Sequence, residues 1–276
     1  MTTILVATDF SPVAENAVEY ATALAKQYQA KLVLFNAFTL PVHAANTLLP
    51  ASSFDQLFLA NQNRLGRKAQ SIASTYGIEV EYESTYSFVK DELQNILAKY
   101  QAEMVVLGMA PKSLEQDLLG NTTTSAVKKM EFPVLAVPAG AKYHGIKKVL
   151  FACDLKHDLP VQALSRIKKL SPELRFEVEI LYVDEKIAEM KSEGIGLIGS
   201  DDHMTEPDAI TYSYKNVKSN AVIEEIRKEI AAIEPDVLVM VPQKHGFWTS
   251  LVHRSKTRIM ASGLNIPLFI IPLQKN

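Results

Sequence analysis

The chain repeats itself once, and this repetition constrains its fold more than any other feature of the sequence. Three apolar segments of the first half return in the second half in the same order and at similar separations. The pairs are ILVATDF (4–10) with VLFACDL (149–155), AEMVVLG (102–108) with PDVLVMV (235–241), and FPVLAVP (132–138) with IPLFIIP (266–272). Two unrelated domains would not agree in this way, so we predict a tandem duplication joined near residues 139–148. The expected domains are residues 1–140 and 146–276.

The composition is that of a globular protein and argues against nucleic-acid-binding, membrane and disulfide-stabilised classes. The 276 residues are enough for two ordinary domains; 47% are apolar, 22% are charged, and the net charge is −2. Near-neutral charge argues against a nucleic-acid or membrane-surface role, and no segment approaches the roughly 20 apolar residues that cross a bilayer. The start, MTTILVATDF, does not resemble a signal peptide, and the single cysteine, Cys153, excludes an internal disulfide. We expect a cytoplasmic protein without nucleic-acid or membrane partners.

Strands and helices alternate along the first half. Ile4–Thr8 is a continuous apolar run, as in strands covered on both faces, and Ser11-Pro12 supplies a helix cap followed by a proline at the first helical position. Further strands are predicted at 31–38, 78–85, 104–108 and 133–138, and helices at 55–76, 91–100 and 122–130. Five strands joined by helical crossovers predict a doubly wound, parallel α/β sheet in each half.

The second half keeps the first and last parts of this pattern but differs in the middle. Residues 185–208 are glycine-rich and acidic and are predicted to form a mobile loop after a short helix. Residues 209–214 then predict a strand and residues 217–233 a helix. The last strand of each half is short, apolar and flanked by prolines, which favours pairing of the two halves as a pseudo-two-fold pair. The sequence leaves open whether whole chains form a homodimer.

Small and polar residues follow the strands of the first half where a ligand would bind. Ligands of open parallel sheets lie beyond the carboxyl ends of the strands, where strand order reverses. Ala7-Thr8-Asp9, Ala37 and Leu107-Gly108 occupy such ends, with room for a flat base and a carboxylate that can accept hydrogen bonds from an amine or a ribose hydroxyl. Gly120 and the residues Asn121, Thr122, Thr123 and Thr124 open a predicted helix whose N–H groups attract anions, and Lys112 can neutralise a phosphate.

A purely structural interpretation of each residue stays open. Asp9 precedes Ser11-Pro12 and can simply cap the helix. Gly108 can relieve crowding at a strand end, the threonines can form a polar first turn, and Lys112 can be solvated. The order of these residues is stronger evidence than any one of them, because short glycine patterns often match by chance.

This order of residues resembles the universal stress protein family in its tandem form. The opening ILVATDFSPVAENAVEYATALAKQYQAKLVLFNAF and the later VVLGMAPKSLEQDLLGNTTTSAVKKMEFPVLAVP carry the resemblance. It implies an adenine nucleotide alpha hydrolase-like, Rossmann-like fold. It also implies a nucleotide pocket at eight positions of the first half, which are Ala7, Asp9, Ala37, Leu107, Gly108, Gly120, Asn121 and Thr122.

The chain departs from the family's nucleotide-binding pattern of glycine, two residues, glycine, nine residues, glycine, then serine or threonine. Gly108 and Gly120 fit, but Pro111 replaces the second glycine and only eight residues follow it. Proline removes an N–H group and fixes φ, so we expect the adenosine half of the site to be better preserved than the triphosphate half. The resemblance therefore implies weakly bound ATP, or ADP or AMP, with magnesium as an optional companion.

The second half departs further from that pattern. In the simplest alignment Val241, Lys244 and Arg254 occupy the glycine positions, and only Ser255 and Asp154 remain in register. Bulky side chains there would crowd the phosphates, so we expect no nucleotide in this half.

Three functions remain open at this stage. The first is a stress-response sensor in which nucleotide in the first half alters a surface for a protein partner that the sequence does not identify. The second is a ligand-free scaffold with both sites decayed, and the third is a slow ATP-hydrolysing enzyme. The six histidines show no ligand spacing typical of a metal site, and no Ser–His–Asp or Cys–His arrangement is found. We therefore expect no catalytic residues, no metal ligands and at most a slow ATPase.

Overall fold

The computed structural model of the chain describes residues 2–38, 51–86, 89–109, 132–152, 176–184, 204–205, 211–241 and 264–272. These residues divide into two units, and the boundary between them falls between Tyr143 and His144. Parallel strands with helical connections make up each unit.

The first unit contains five parallel strands. They are β1 (Thr3–Ala7), β2 (Lys31–Ala37), β3 (Val80–Thr85), β4 (Met104–Met109) and β5 (Val134–Pro138). Their order is β3-β2-β1-β4-β5, so β1 lies at the centre with β2 on one side and β4 on the other. Successive residues Ile4, Leu5 and Val6 are all buried. Because neighbouring residues of a strand point to opposite faces, β1 is covered on both faces.

Three helices cover the sheet of the first unit. They are α1 (Pro12–Gln27), α2 (Ala51–Tyr76) and α3 (Val89–Tyr100). The connection from β1 to β2 contains α1 and runs in one direction across the sheet, whereas the connection from β3 to β4 contains α3 and runs in the opposite direction. Because both crossovers are right-handed, α1 and α3 lie on opposite faces of the sheet. The side chain of Ser11 accepts a hydrogen bond from the Ala14 amide at 3.3 Å, and Pro12 is the first helical residue. The predicted start of this helix is therefore confirmed.

The second unit repeats this strand order. Its strands are β6 (Lys148–Ala152), β7 (Glu177–Val183), β8 (Met204–Thr205), β9 (Thr211–Val217), β10 (Val237–Met240) and β11 (Leu268–Ile270). The order β11-β10-β6-β7-β9 matches β5-β4-β1-β2-β3 position by position. One helix, α4 (Val222–Ile233), is described in this unit. The predicted α/β class with parallel sheets is thus confirmed in the described residues of both units.

Two local expectations for the second unit were wrong. Residues Met204–Thr205, predicted to belong to a loop, form a sixth, antiparallel strand against Thr211 and Tyr212. The edge of β9 that does not face β7 offers backbone N–H and C=O groups, so even two residues gain backbone hydrogen bonds there. The helix predicted from residue 217 begins at Val222, because β9 continues through Val217. The pairing with β7 continues to Val217, which lies level with Val183, and this pairing extends the strand.

A pair of carboxyl groups lies beneath α4 in the second unit. Glu229 of α4 is buried and forms an ion pair with Lys215 of β9, while Oε1 of Glu179 on β7 is buried without a hydrogen-bond partner in the described part of the chain. Burial, followed by the hydrogen bond and charge of Glu229, raises the pKa of Glu179 from its ordinary 4.5 to about 7, although Lys215 and Lys148 oppose the rise. Near neutral pH the pair therefore retains a proton.

We predict that the second unit loses stability as pH rises from 5 to 8. A carboxyl group with a raised pKa holds its proton more tightly in the folded chain, so its stabilising contribution is present below 4.5 and disappears as pH passes about 7. Unfolding by urea can be monitored by the fluorescence of the single tryptophan, Trp248, which belongs to the second half. The urea concentration at the midpoint of this transition should fall as pH rises over this range. Glu179→Gln should flatten the dependence, and Glu177→Gln, which alters an exposed residue of the same strand, should not. Equal pH slopes in the wild-type protein and Glu179→Gln would contradict the assignment.

Candidate functional site

The order of strands in the first unit reverses beside β1. The chain leaves β1 toward β2 on one side and later enters β4 on the other side, with Val6 level with Val106. The carboxyl ends of β1 and β4 therefore meet at a topological switch point, where a crevice forms in open parallel sheets. Ala7-Thr8-Asp9 and Leu107-Gly108 lie at these ends, and Ala37 ends the neighbouring β2.

The structure gives these candidate residues different surroundings. Asp9 is exposed and Ala37 is partly exposed, whereas Ala7 is 8% exposed, Thr8 4% and Leu107 2%. The buried side chains of Thr8 and Leu107 contribute to packing, so a ligand at this edge would mainly meet their backbone. The remaining predicted residues, Lys112, Gly120, Asn121, Thr122 and Thr123, lie outside the described residues.

The segment after β1 forms a tight, hydrogen-bonded turn. The Phe10 amide donates to Oγ1 of Thr8 at 3.0 Å, and the Ser11 amide donates to Oδ1 of Asp9 at 2.9 Å. The hydroxyl of Thr8 also donates to Oε1 of Glu15 on α1 at 3.3 Å. Asp9 therefore does support the start of the helix, as its structural interpretation expected, but this contact uses only one of its two oxygens.

A chain of polar side chains that the sequence analysis missed fixes the end of β1. Nδ2 of Asn36 donates to the Thr8 carbonyl at 2.7 Å, and Oδ1 of Asn36 accepts from Asn61 of α2 at 2.6 Å. Asn61 also donates to Oγ of Ser84 at 3.3 Å. One signal was present, since Asn36 is the only polar residue between Leu32 and Phe38 in an apolar strand. Buried amides are retained where their hydrogen bonds are satisfied, as here.

Gly108 is required by the packing of α1. A Cβ atom at this position would lie 2.8 Å from the backbone oxygen of Val13 and 2.9 Å from its Cγ1. The first turn of α1 therefore lies directly against the end of β4. Nδ2 of Asn16, one turn later, donates to the carbonyls of Pro138 at 3.0 Å and Ala141 at 3.1 Å. The glycine has a structural explanation and is not by itself evidence of a ligand.

Charged side chains of α2 approach the same turn. Lys68 forms an ion pair with Glu15, the carboxylate that accepts from Thr8. The guanidinium carbon of Arg64 lies 4.0 Å from the centre of the Phe10 ring. Asn61, Arg64 and Lys68 recur at helical spacing, so one side of α2 faces the carboxyl ends of β1 and β2.

In the described ranges, no group of three or more histidine, cysteine, aspartate or glutamate side chains is arranged to hold a metal ion. Among the helices of the described residues, none combines the length and apolar character needed to span a bilayer.

Comparison with known proteins identifies related chains. Residues 1–138 match the model of the universal stress protein family. A universal stress protein of Methanocaldococcus jannaschii is 25% identical over 138 residues, which are 49% of this chain and 80% of that protein.

Solved structures support the fold of the whole chain. The crystal structure of a universal stress protein from Archaeoglobus fulgidus covers 98% of both chains with a TM-score of 0.68 and 17% identity. A Pseudomonas aeruginosa protein of unknown function covers 99% of this chain and 92% of its own, with a TM-score of 0.56 and 12% identity. At such identities the similarity establishes the fold alone.

We predict that Gly108→Ala destabilises the first unit by about 1–3 kcal/mol, because the new methyl group meets backbone that cannot move without displacing α1. The measurement is thermal unfolding by circular dichroism together with hydrogen exchange of the amides in residues 3–27.

Gly66→Ala provides a matched control for this prediction. Its Cβ would meet the end of the Tyr82 ring at 3.0 Å, a side chain that is 44% exposed and can shift. Since alanine favours a helix over glycine by about 1 kcal/mol, this variant should be neutral or stabilised. A destabilisation of Gly66→Ala as large as that of Gly108→Ala would show that contact with Val13 is not the cause.

Proposed function

This chain belongs to the universal stress protein family, and on that premise we propose that it is a regulatory protein that binds an adenine nucleotide in its first half. The proposed site is the carboxyl edge of β1, β2 and β4. Binding there would change the surface that the protein presents to a protein partner. Since α1 starts at this edge, a ligand would contact a helix whose position is tied to three strands.

The observation that carries this proposal is the exposed carboxylate of Asp9 at the switch point. Its Oδ1 is used by the turn, and its Oδ2 has no hydrogen-bond partner in the described part of the chain. The neighbouring strand ends carry the small side chains of Ala7 and Ala37, which leave space beside the carboxylate for a flat ring. An oxygen acceptor beside such a space suits the exocyclic amine of adenine or a ribose hydroxyl.

The turn also makes Asp9 suitable for discriminating between ligands. The Thr8 hydroxyl, the Asn36 amide and the Ser11 amide hold the backbone on both sides of the carboxylate. A pre-positioned acceptor costs little entropy when a ligand binds. We therefore infer that adenosine is recognised through Asp9, and that the phosphoryl groups are bound by the residues from Gly120 onward that the family's pattern assigns to them. Pro111 has no N–H group where that pattern has a glycine, which favours weak binding of ATP, or binding of ADP or AMP.

The second half is proposed to bind no nucleotide. Val241, which stands where the pattern has its first glycine, is only 1% exposed. A buried β-branched side chain therefore follows β10 at the position where Gly108 stands in the first half.

We predict one adenine nucleotide per chain, bound through Asp9. The protein would be purified without added nucleotide, any released small molecule identified by mass spectrometry, and ATP, ADP, AMP and adenosine titrated by calorimetry. Asp9→Asn keeps an oxygen for the Ser11 amide but replaces the second oxygen with a donor, so adenosine should bind about tenfold more weakly or worse. The corresponding variant of the second half, Asp154→Asn, should bind as the wild type does.

Each contrary outcome has a distinct meaning. Two nucleotides per chain would overturn the assignment to the first half alone. No binding of any of the four ligands at millimolar concentration would overturn nucleotide binding and leave the scaffold function. Phosphate release that Asp9→Asn abolishes would identify a slow ATPase in place of a binding protein.

A further inference from the structure

Arg64 is held at the candidate site by an aromatic ring and not by a carboxylate. Its guanidinium carbon lies 4.0 Å from the centre of the Phe10 ring, and Phe10 is the residue after Asp9. Asn61, one turn earlier on α2, is anchored to Asn36 at the end of β2. Arg64 therefore projects from a fixed part of the helix toward the turn that presents Asp9.

The Phe10 backbone adopts a conformation that a bulky residue rarely takes. Its φ is 62°, in the left-handed region, which residues other than glycine, asparagine and aspartate rarely adopt. The hydrogen bond from its amide to Thr8 and the adjacent one from Ser11 to Asp9 maintain this conformation. Such strain persists where surrounding contacts enforce it, and it is concentrated at ligand-binding sites. Here its consequence is to place the ring beneath the guanidinium group.

Arg64 has no acidic partner among the described residues, whereas Lys68, one turn later on α2, pairs with Glu15. Arg64 is exposed, and the Phe10 ring beneath its guanidinium carbon has no oxygen that would occupy the N–H donors. The five N–H donors lie in the plane of the group and remain directed outward, in the geometry that fits a phosphoryl group through two parallel hydrogen bonds.

We infer that Arg64, positioned by Phe10, binds a phosphoryl group of the nucleotide whose adenosine contacts Asp9. This inference rests on the proposed function. Because Phe10 directly follows Asp9, the ring that holds the guanidinium group belongs to the same turn as the carboxylate that would hold the base or the ribose. The phosphoryl groups of a nucleotide are attached to that ribose. Arg64 would supply positive charge to the phosphoryl groups from α2.

The experiment compares phosphorylated and unphosphorylated ligands of the full chain. Arg64→Gln should weaken binding of AMP and ATP about tenfold and leave adenosine unchanged, because a charge-assisted hydrogen bond is lost only with the phosphoryl group. The control is Arg67→Gln, which removes the same charge from an exposed residue of the same helix and should bind all ligands as the wild type does. Added salt should narrow the difference between Arg64→Gln and the wild-type protein.

A second variant tests the role of the ring. Phe10→Asn removes the aromatic surface but places a residue that tolerates a left-handed φ, so the turn should persist. It should weaken AMP and ATP binding in the same sense as Arg64→Gln, by a smaller factor. Equal affinity of Arg64→Gln and wild type for AMP and ATP, or an equal loss for adenosine, would overturn the inference while leaving nucleotide binding intact.

Tripolyphosphate separates failure of this inference from failure of the proposed function. If the wild-type protein binds no adenosine or nucleotide, the proposed function fails. Tripolyphosphate binding that Arg64→Gln weakens and Arg67→Gln does not would then still support Arg64 as a phosphoryl-binding residue. Absence of tripolyphosphate binding in that case would overturn both.

Discussion

The contact between the first turn of α1 and the end of β4 is the constraint on which the first unit depends. The Val13 backbone lies so close to Gly108 that there is no room for a Cβ atom. Ser11, which follows β1, caps the same turn, and Asn16 shortly after it donates to carbonyl groups at and beyond the end of β5. The start of α1 thus fixes three strand ends relative to one another. A crevice at a switch point needs such ends to stay in place, because a ligand there contacts several of them at once.

The polar chain from Thr8 through Asn36 and Asn61 to Ser84 acts on the other side of β1. It satisfies a carbonyl at the end of a buried strand, and buried polar groups stabilise a structure only when they are satisfied in this way. It also links α2 to the sheet at the level of the turn. The positions of Asp9, Phe10 and Arg64 follow from these contacts. The arrangement of these side chains is therefore a product of the packing around them.

Most of the fold followed from the sequence because it depends on local patterns. Continuous apolar runs marked β1, β4 and β5, and Ser11-Pro12 marked the start of α1. The internal echoes also predicted the shared strand order. The contacts of the candidate site were harder to predict from the sequence. Asn36 and Asn61 are 25 residues apart, and nothing in the spacing of two asparagines indicates that they meet. Arg64 and Phe10 come together only through the packing of α2, and β8 exists only because β9 offers it hydrogen-bonding groups.

The two halves share a strand order although their residues at the strand ends differ. Strand order depends on apolar runs and helical crossovers, which tolerate exchange among apolar residues, so β6, β7, β9, β10 and β11 retain the arrangement of the first half. A ligand site depends on small side chains and backbone donors at a few strand ends. Val241 stands at the position of Gly108 and is buried after β10, within the same strand order, so the sheet accepts either residue there. In the second half the unusual polar feature is instead the carboxyl pair of Glu179 and Glu229, which lies between a helix and the sheet and not at the strand ends. The two units therefore share a framework that was preserved by packing, while the chemistry placed on it diverged.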